Sequence, residues 1–139
     1  MAHERSVIMK LSEYLQRIEW SGAVTPTLDT LENLLRQHNH RVPFENLDVQ
    51  LGNELSTRIE DAYAKIVEGR RGGWCYEQNG LFGRVLEELG FDVVRIAATV
   101  MRGAGPCDAP DNHLCLLVSS PDIDDRYLCL LYTSDAADD

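Results

Sequence analysis

The sequence is short of basic side chains and has no long apolar run. Its 139 residues include 13 lysines and arginines against 23 aspartates and glutamates, which gives a formal net charge of −10. A nucleic-acid-binding surface needs clustered positive charge, so this balance argues against a nucleic acid partner. The longest apolar runs, 114–118 and 128–132, are far shorter than the roughly 20 residues that span a bilayer, so we expect no membrane segment.

Targeting signals and a cysteine framework are also lacking. Residues 1–10 contain no apolar core of a secretory signal, which predicts a cytoplasmic protein. The spacing of the cysteines matches neither paired CxxC zinc ligands nor a small disulfide framework. We therefore expect reduced thiols and no metal site. The cysteines are Cys75, Cys107, Cys115 and Cys129.

Apolar residues recur at helical spacing in four segments, 11–18, 28–35, 59–67 and 81–89. Thr25-Pro26 predicts the start of the second helix, with threonine as N-cap and proline at the first helical position. Thr57 and Glu60 fit a capping box at the start of the third. Gly69 and Gly90 are placed to end the third and fourth helices. The first part of the chain is therefore predicted to be helical.

The pattern changes to β after residue 90. Segments 93–100 and 113–118 have strand composition, and the glycines and prolines between them predict a loop over 101–112. A turn over 119–125 predicts a hairpin between the second segment and a strand from Arg126 onward. Helices followed by strands indicate an α+β fold rather than an alternating doubly wound sheet.

The segment RRGGWCYEQNG, residues 70–80, carries the candidate chemistry. Gly72 and Gly73 allow a tight turn, after which Cys75 falls in the first turn of the fourth helix. Free N–H groups and the positive end of the helix dipole stabilise a thiolate, which predicts a lowered pKa and a nucleophilic cysteine. The alternative is a buried cysteine that packs as a small apolar residue. The glycines do not form a phosphate cradle, because no Lys-Ser/Thr follows them.

A cysteine nucleophile needs an imidazole as its base, and the chain has four histidines. His3 lies in the N-terminal tail. His38 and His40 are predicted at a solvent-exposed helix end, without the neighbouring ligands that a metal would need. His113 opens a short apolar strand, where the alternative is a histidine that bonds only to the backbone. His113 is the remaining candidate.

Three segments together resemble the arylamine N-acetyltransferases. They are RVPFENLDV at 41–49, RGGWCYEQNGLF at 71–82 and NHLCLLV at 112–118. The resemblance extends over about residues 10–128 and implies a helical bundle followed by a β-barrel, with a cysteine-protease-like core. On this basis we expect a helical domain over 1–90 that carries the nucleophile, and the start of a barrel domain over 91–128.

The resemblance also implies an activity and a catalytic pair. Acetyl would pass from acetyl-CoA, a substrate rather than a resident cofactor, through an acetyl-enzyme to an arylamine, arylhydrazine or N-hydroxyarylamine. Cys75 matches the family's nucleophile. His113 matches its base, which is expected to hold the thiolate as an ion pair.

Four further residues match supporting positions of the family. Arg71 and Glu45 match a buried ion pair that braces the site, although each fits an ordinary surface charge equally well. Phe44 and Val100 match positions that line the acceptor pocket, and core packing is the alternative for both.

The family pattern breaks after Leu128. The triad aspartate is expected at position 130, where this chain has Leu130. Residues 129–139 resemble translated adapter read-through, so we expect a truncated chain that is inactive or nearly so. The alternatives are a non-catalytic fragment, or a related amide synthase or Cys-His hydrolase on the same scaffold. No oligomeric state is predicted.

Overall fold

The computed structural model describes residues 9–99, 113–129 and 131, and within them helices precede strands. The helices are α1 (Leu11–Arg17), α2 (Leu28–Arg41), α3 (Leu47–Gln50), α4 (Ile59–Tyr63) and α5 (Cys75–Glu88). The strands are β1 (Asp92–Ala98), β2 (His113–Ser120) and β3 (Ile123–Cys129). This order confirms the α+β class. None of the helices in the described ranges is both long and apolar enough to cross a membrane.

The predicted start of α2 is wrong by two residues. Thr27, not Thr25, is the N-cap, and its Oγ1 accepts a hydrogen bond from the Thr30 backbone N–H at 3.2 Å. Pro26 therefore precedes the helix instead of opening it. A threonine three residues before a free N–H group satisfies that donor directly, and this local bond decides between the two candidate caps.

The predicted capping box at the start of α4 does not form. Arg58 is the N-cap and makes no side-chain capping bond. Ser56 organises this start instead, because its Oγ accepts from the Arg58 backbone N–H at 3.1 Å and donates to Asp61. The helix continues as a π-helical turn, Ala64–Glu68, and ends at Gly69 as predicted.

The three strands form one antiparallel sheet in the order β1-β2-β3. Pairing of Ala98 with His113 sets the register of β1 on β2. β3 begins at Ile123, earlier than the predicted Arg126, because the hairpin turn is confined to residues 121–122. The predicted loop over 101–112 lies outside the described residues.

The core lies between the helices and one face of the sheet. α5 packs on β2, where a Cβ added to Gly83 would lie 3.2 Å from Leu116 Cδ2. This close contact brings the Cys75 end of α5 towards the start of β2. The largest fully buried apolar side chains are Tyr14, Ile18, Leu34, Tyr63, Ile66, Leu81, Phe82, Leu86, Leu116 and Leu131.

Candidate active site

Cys75 is the first residue of α5, as predicted, and only 7% of it is exposed. The preceding loop runs alongside the Pro43–Glu45 segment. The Gly73 backbone N–H donates to Pro43 O at 3.2 Å, and the Glu45 N–H donates to Gly73 O at 2.9 Å. Glycine is required at position 72, because a Cβ there would lie 1.9 Å from Pro43 O. We call residues 70–74 the Cys75 loop.

Burial has the largest effect on the Cys75 thiol, and it raises the pKa above its usual value. Backbone hydrogen bonds act in the opposite direction: one comes from Leu114 in β2, and two come from Tyr76 and Cys75 at the N-terminus of α5. The predicted lowering of the pKa is therefore wrong: the helix terminus does stabilise the thiolate, but removing the sulfur from water costs more.

His113 opens β2 next to the residue that hydrogen-bonds to the Cys75 thiol. Leu114 makes that bond through its backbone, which brings the first residues of β2 to the start of α5. Burial lowers the pKa of the half-buried His113 imidazole. The shifts on His113 and Cys75 both act towards the uncharged forms, and the ion pair between the two side chains stays a prediction.

Arg71 and Glu45 are in contact, but the pair is not buried as expected. Arg71 Nη2 lies 3.3 Å from Glu45 Oε1, and the arginine side chain is 43% exposed against 16% for the glutamate. Arg71 also lies 3.3 Å from Asp48. The hydrogen bond that Arg71 donates to the Asp48 carboxylate is the largest cause of the raised Arg71 pKa. The Arg71–Glu45 pair therefore lies at the solvent-exposed edge of the Cys75 loop.

Lys65 completes this charge cluster, which local sequence patterns did not predict. Its Nζ lies 2.7 Å from Asp48, 3.0 Å from Glu77 and 3.7 Å from Glu45. Burial lowers the pKa of Lys65, but hydrogen bonds to Asp48 and Glu77 outweigh it and the pKa is raised. Glu77 Oε1 also accepts from the Trp74 backbone N–H at 3.2 Å, so the cluster caps the helix that Cys75 opens.

Phe44 lies beside the Cys75 loop. It is half-buried and forms an isolated parallel bridge with Gly73. Its role in lining the acceptor pocket stays a prediction. Val100, its expected partner at the acceptor pocket, lies outside the described residues.

Asn79 anchors the chain that follows β3. Its Oδ1 accepts from the Leu131 backbone N–H at 3.1 Å, and its Nδ2 donates to Leu131 O at 3.3 Å. Asn79 is one helical turn beyond Cys75, so this anchor holds residue 131 against the same helix. Leu130, at the position expected for the aspartate, lies outside the described residues.

His38 is fully buried, so its prediction at an exposed helix end is wrong. Its Nδ1 lies 2.6 Å from Tyr14 Oη and its Nε2 lies 2.9 Å from Gln78 Oε1. Burial lowers the pKa of His38 to about 4. The spacing from Leu31 and Leu34 puts His38 on the buried face of α2, and this helical register was the signal that could have found it.

Comparison with known proteins places this arrangement in a family. A family model described as N-acetyltransferase matches residues 27–130. The chain is 46% identical over 108 residues to an arylamine N-acetyltransferase of Escherichia coli, covering 78% of this chain and 38% of that protein. The Mycolicibacterium smegmatis arylamine N-acetyltransferase is 46% identical over 120 residues, covering 84% and 43%. The chain belongs to the arylamine N-acetyltransferase family.

The fold agrees with solved arylamine N-acetyltransferases. The Mycobacterium marinum enzyme in complex with CoA superposes with a TM-score of 0.79 at 43% identity, covering 86% of this chain and 45% of that one. The chain thus spans about two fifths of the length of the curated relatives it matches. Within the described part of the chain, no group of three or more histidine, cysteine, aspartate or glutamate side chains could hold a metal ion.

Proposed function

We propose that Cys75 and His113 are the nucleophile and base of an acetyl-CoA-dependent N-acetyltransferase. The observation that carries the proposal is the Cys75 thiol at the start of α5, hydrogen-bonded to the backbone of the residue after His113. The names of the relatives support arylamines as acceptors, and that of the Salmonella typhimurium relative also supports N-hydroxyarylamines; we include arylhydrazines on the family resemblance alone. The CoA complex of the Mycobacterium marinum enzyme supports acetyl-CoA as donor.

The first half-reaction forms an acetyl-enzyme. His113 accepts the proton of the Cys75 thiol, and the sulfur attacks the thioester carbonyl. The bond from the carbonyl carbon to the CoA sulfur then breaks, and CoA leaves with the proton that His113 returns. Backbone N–H groups at the start of α5 are suitable donors for the oxyanion that develops.

The second half-reaction transfers acetyl to the amine. The acceptor nitrogen attacks the acetyl carbonyl on Cys75, and His113 accepts the proton that the nitrogen loses. The carbon–sulfur bond breaks, the proton passes to the Cys75 sulfur, and an N-acetyl product leaves. The acetyl-enzyme splits one difficult transfer into two easier ones, which gives ping-pong kinetics.

The remaining residues have supporting roles in this proposal. Arg71 and Glu45 brace the Cys75 loop, and Phe44 and Val100 line the acceptor pocket. Residues 1–90 form the helical domain that carries the nucleophile, and residues 91–128 begin the second domain.

Leu130 makes the proposed activity weak in this chain. In catalytic triads the carboxylate orients the histidine, and disturbing it costs about 10⁴-fold in turnover. A leucine side chain cannot accept a hydrogen bond from an imidazole, so position 130 supplies no orienting group for His113 in this proposal. We therefore expect slow acetylation of Cys75.

Mass spectrometry of the chain after incubation with acetyl-CoA tests the proposal. Acetyl should appear on the peptide that contains Cys75 and disappear when an arylamine is added. The matched control is Cys75→Ser, which should remain unmodified at that peptide, whereas Cys115→Ser should still be acetylated at Cys75. Complete absence of acetyl-Cys75 from the folded wild-type chain, even after prolonged incubation, would refute the proposed nucleophile.

The same experiment separates the alternatives. A Cys-His hydrolase would lose its acetyl group to water at the same rate with and without the amine. A non-catalytic fragment would leave Cys75 unmodified under all conditions.

A further inference from the structure

The Gln78 side chain is buried next to the Cys75 loop and forms hydrogen bonds with the loop and with the segment beside it. It is 1% exposed. Its Nε2 donates to Gly73 O at 2.8 Å and to Pro43 O at 2.9 Å, while its Oε1 lies 2.9 Å from His38 Nε2. Every polar atom of this carboxamide therefore has a partner.

The chemistry of these groups permits one direction of hydrogen bonding. Backbone carbonyls only accept, so Gln78 must direct its two N–H groups at Pro43 O and Gly73 O, and its Oε1 must accept from His38. His38 therefore carries its proton on Nε2. In a neutral imidazole the other nitrogen then accepts, so Tyr14 Oη donates to His38 Nδ1 at 2.6 Å.

Packing holds His38 in this orientation. The imidazole has no exposed surface, and the Phe82 ring meets it edge-on with the centroids 5.4 Å apart. A rotated ring would leave two buried polar partners unpaired, at Tyr14 and Gln78, and a buried polar group without a hydrogen bond destabilises the folded state. The tautomer and the ring position are consequently determined together.

The two carbonyls that Gln78 binds are the ones on which the Cys75 loop is built. Pro43 O also accepts from the Gly73 N–H, and Gly73 O also accepts from the Glu45 N–H. Gln78 lies one helical turn after Cys75 on α5. A single carboxamide thus ties together the helix of the nucleophile, the loop before it and the neighbouring Pro43–Glu45 segment.

We propose that the Tyr14–His38–Gln78 chain of hydrogen bonds is a positioning device for Cys75. His38, held as the Nε2–H tautomer, fixes the Gln78 carboxamide, and Gln78 fixes the backbone from which the nucleophile projects. His38 and Gln78 are positioning residues and touch no reacting atom. The inference rests on the proposed role of Cys75 as nucleophile.

Two opposite readouts test this role in the full chain. Gln78→Leu removes the clamp at similar volume, so the loop should loosen and uncover the Cys75 sulfur. We expect alkylation of Cys75 by iodoacetamide to become about tenfold faster, and its acetylation by acetyl-CoA to become about tenfold slower, because small misplacements of a reacting group have costs of this size or larger. Mass spectrometry of the Cys75 peptide measures both rates.

Matched variants separate positioning from general destabilisation. Leu31→Ala removes buried apolar volume from α2 away from the loop and should leave both rates close to wild type while the protein remains folded. His38→Leu should behave like Gln78→Leu. His38→Gln should restore much of the wild-type behaviour, because its amide can donate to Gln78.

A measurement on the wild-type chain covers the case in which Gln78→Leu fails to fold. Long-range ¹H–¹⁵N NMR should find His38 in the Nε2–H tautomer, and the Nδ1–H tautomer or a mixture of the two would overturn the inference. Changes in Gln78→Leu no larger than those in Leu31→Ala would overturn it as well. If wild-type Cys75 is never acetylated, the proposed function fails, whereas the alkylation and NMR readouts still decide the positioning role.

Discussion

His38 should make the stability of this chain fall as the pH is lowered towards 5. The imidazole is fully buried, and burial lowers its pKa from 6.5 to about 4. Between these values the unfolded chain binds a proton at His38 and the folded chain does not. Acidification therefore favours unfolding, and the free energy of unfolding rises with pH across this window.

The size of the effect follows from the two pKa values. A difference of about 2.5 units corresponds to about 3 kcal/mol once the pH is below both values. Between pH 7 and pH 5 the protonation of His38 should lower the free energy of unfolding by about 2 kcal/mol, which is a large fraction of the stability of a small domain. Burial is the largest cause of the lowered His38 pKa, and the positive charge of Arg17 makes a smaller contribution in the same direction.

Urea denaturation of the wild type and of His38→Gln at pH 7, 6 and 5 measures this contribution. His113 also has a pKa lowered by burial, but both proteins contain it, so the difference between them isolates His38. Glu13 and Glu87 have lowered pKa values, so their contribution to the stability of the fold is lost only at more acidic pH. Parallel pH profiles for the two proteins would refute the reasoning.

Three further outcomes are expected. Gly72→Ala should lower the free energy of unfolding by about 3 kcal/mol in urea denaturation, because the new Cβ would lie 1.9 Å from a backbone carbonyl oxygen. The Cβ of the control Gly80→Ala meets nothing within 4 Å, and this substitution should stabilise α5 by up to ~1 kcal/mol. Equal effects of the two substitutions would contradict the close approach at Gly72. Lys65→Met should lower the free energy of unfolding by about 2 kcal/mol at pH 7, less than the loss of a partner in a fully buried pair. Arg71→Met, at the exposed edge of the cluster, should cost much less, and the reverse order in urea denaturation would contradict this prediction. Leu130→Asp should speed acetylation of Cys75, measured by mass spectrometry, by up to about 10⁴-fold, while Leu130→Asn should not; equal rates would dismiss an orienting role at this position.

Apolar spacing predicted α1, α2, α4 and α5, because their buried faces repeat at a fixed period. The three strands were predicted from their composition and from the turn between the last two. Apolar spacing did not predict α3, Leu47–Gln50, which is only one turn long. Leu47 is 57% exposed, so its side chain gave no signal of burial. One turn cannot display a period, and short helices of this kind depend on their surroundings.

The candidate site was predictable where local sequence determines it. Cys75 lies at the start of a helix because glycines precede it and an apolar stripe follows. The direction of its pKa shift was not predictable in the same way, because burial by β2 depends on the tertiary fold. Lys65 was missed for a related reason, since its partners at positions 45, 48 and 77 come together only in three dimensions.

The PFENLD segment supports the Cys75 loop from two sides. On the buried side, Pro43 O accepts from both Gly73 and Gln78. On the outer side, Glu45 and Asp48 form ion pairs with the basic side chains next to the loop and its helix, Lys65 and Arg71.

The buried contacts bind backbone carbonyls, and the outer contacts are ion pairs between side chains next to the loop. Substitutions on the two sides should therefore alter Cys75 in the same way, through the position of the sulfur. They should differ in their dependence on salt, because only the outer contacts are ion pairs that mobile ions can screen. Alkylation of Cys75 in Lys65→Met and Gln78→Leu at low and high ionic strength provides that comparison. The wild type should approach the Lys65→Met rate as salt is added, while the difference caused by Gln78→Leu should persist.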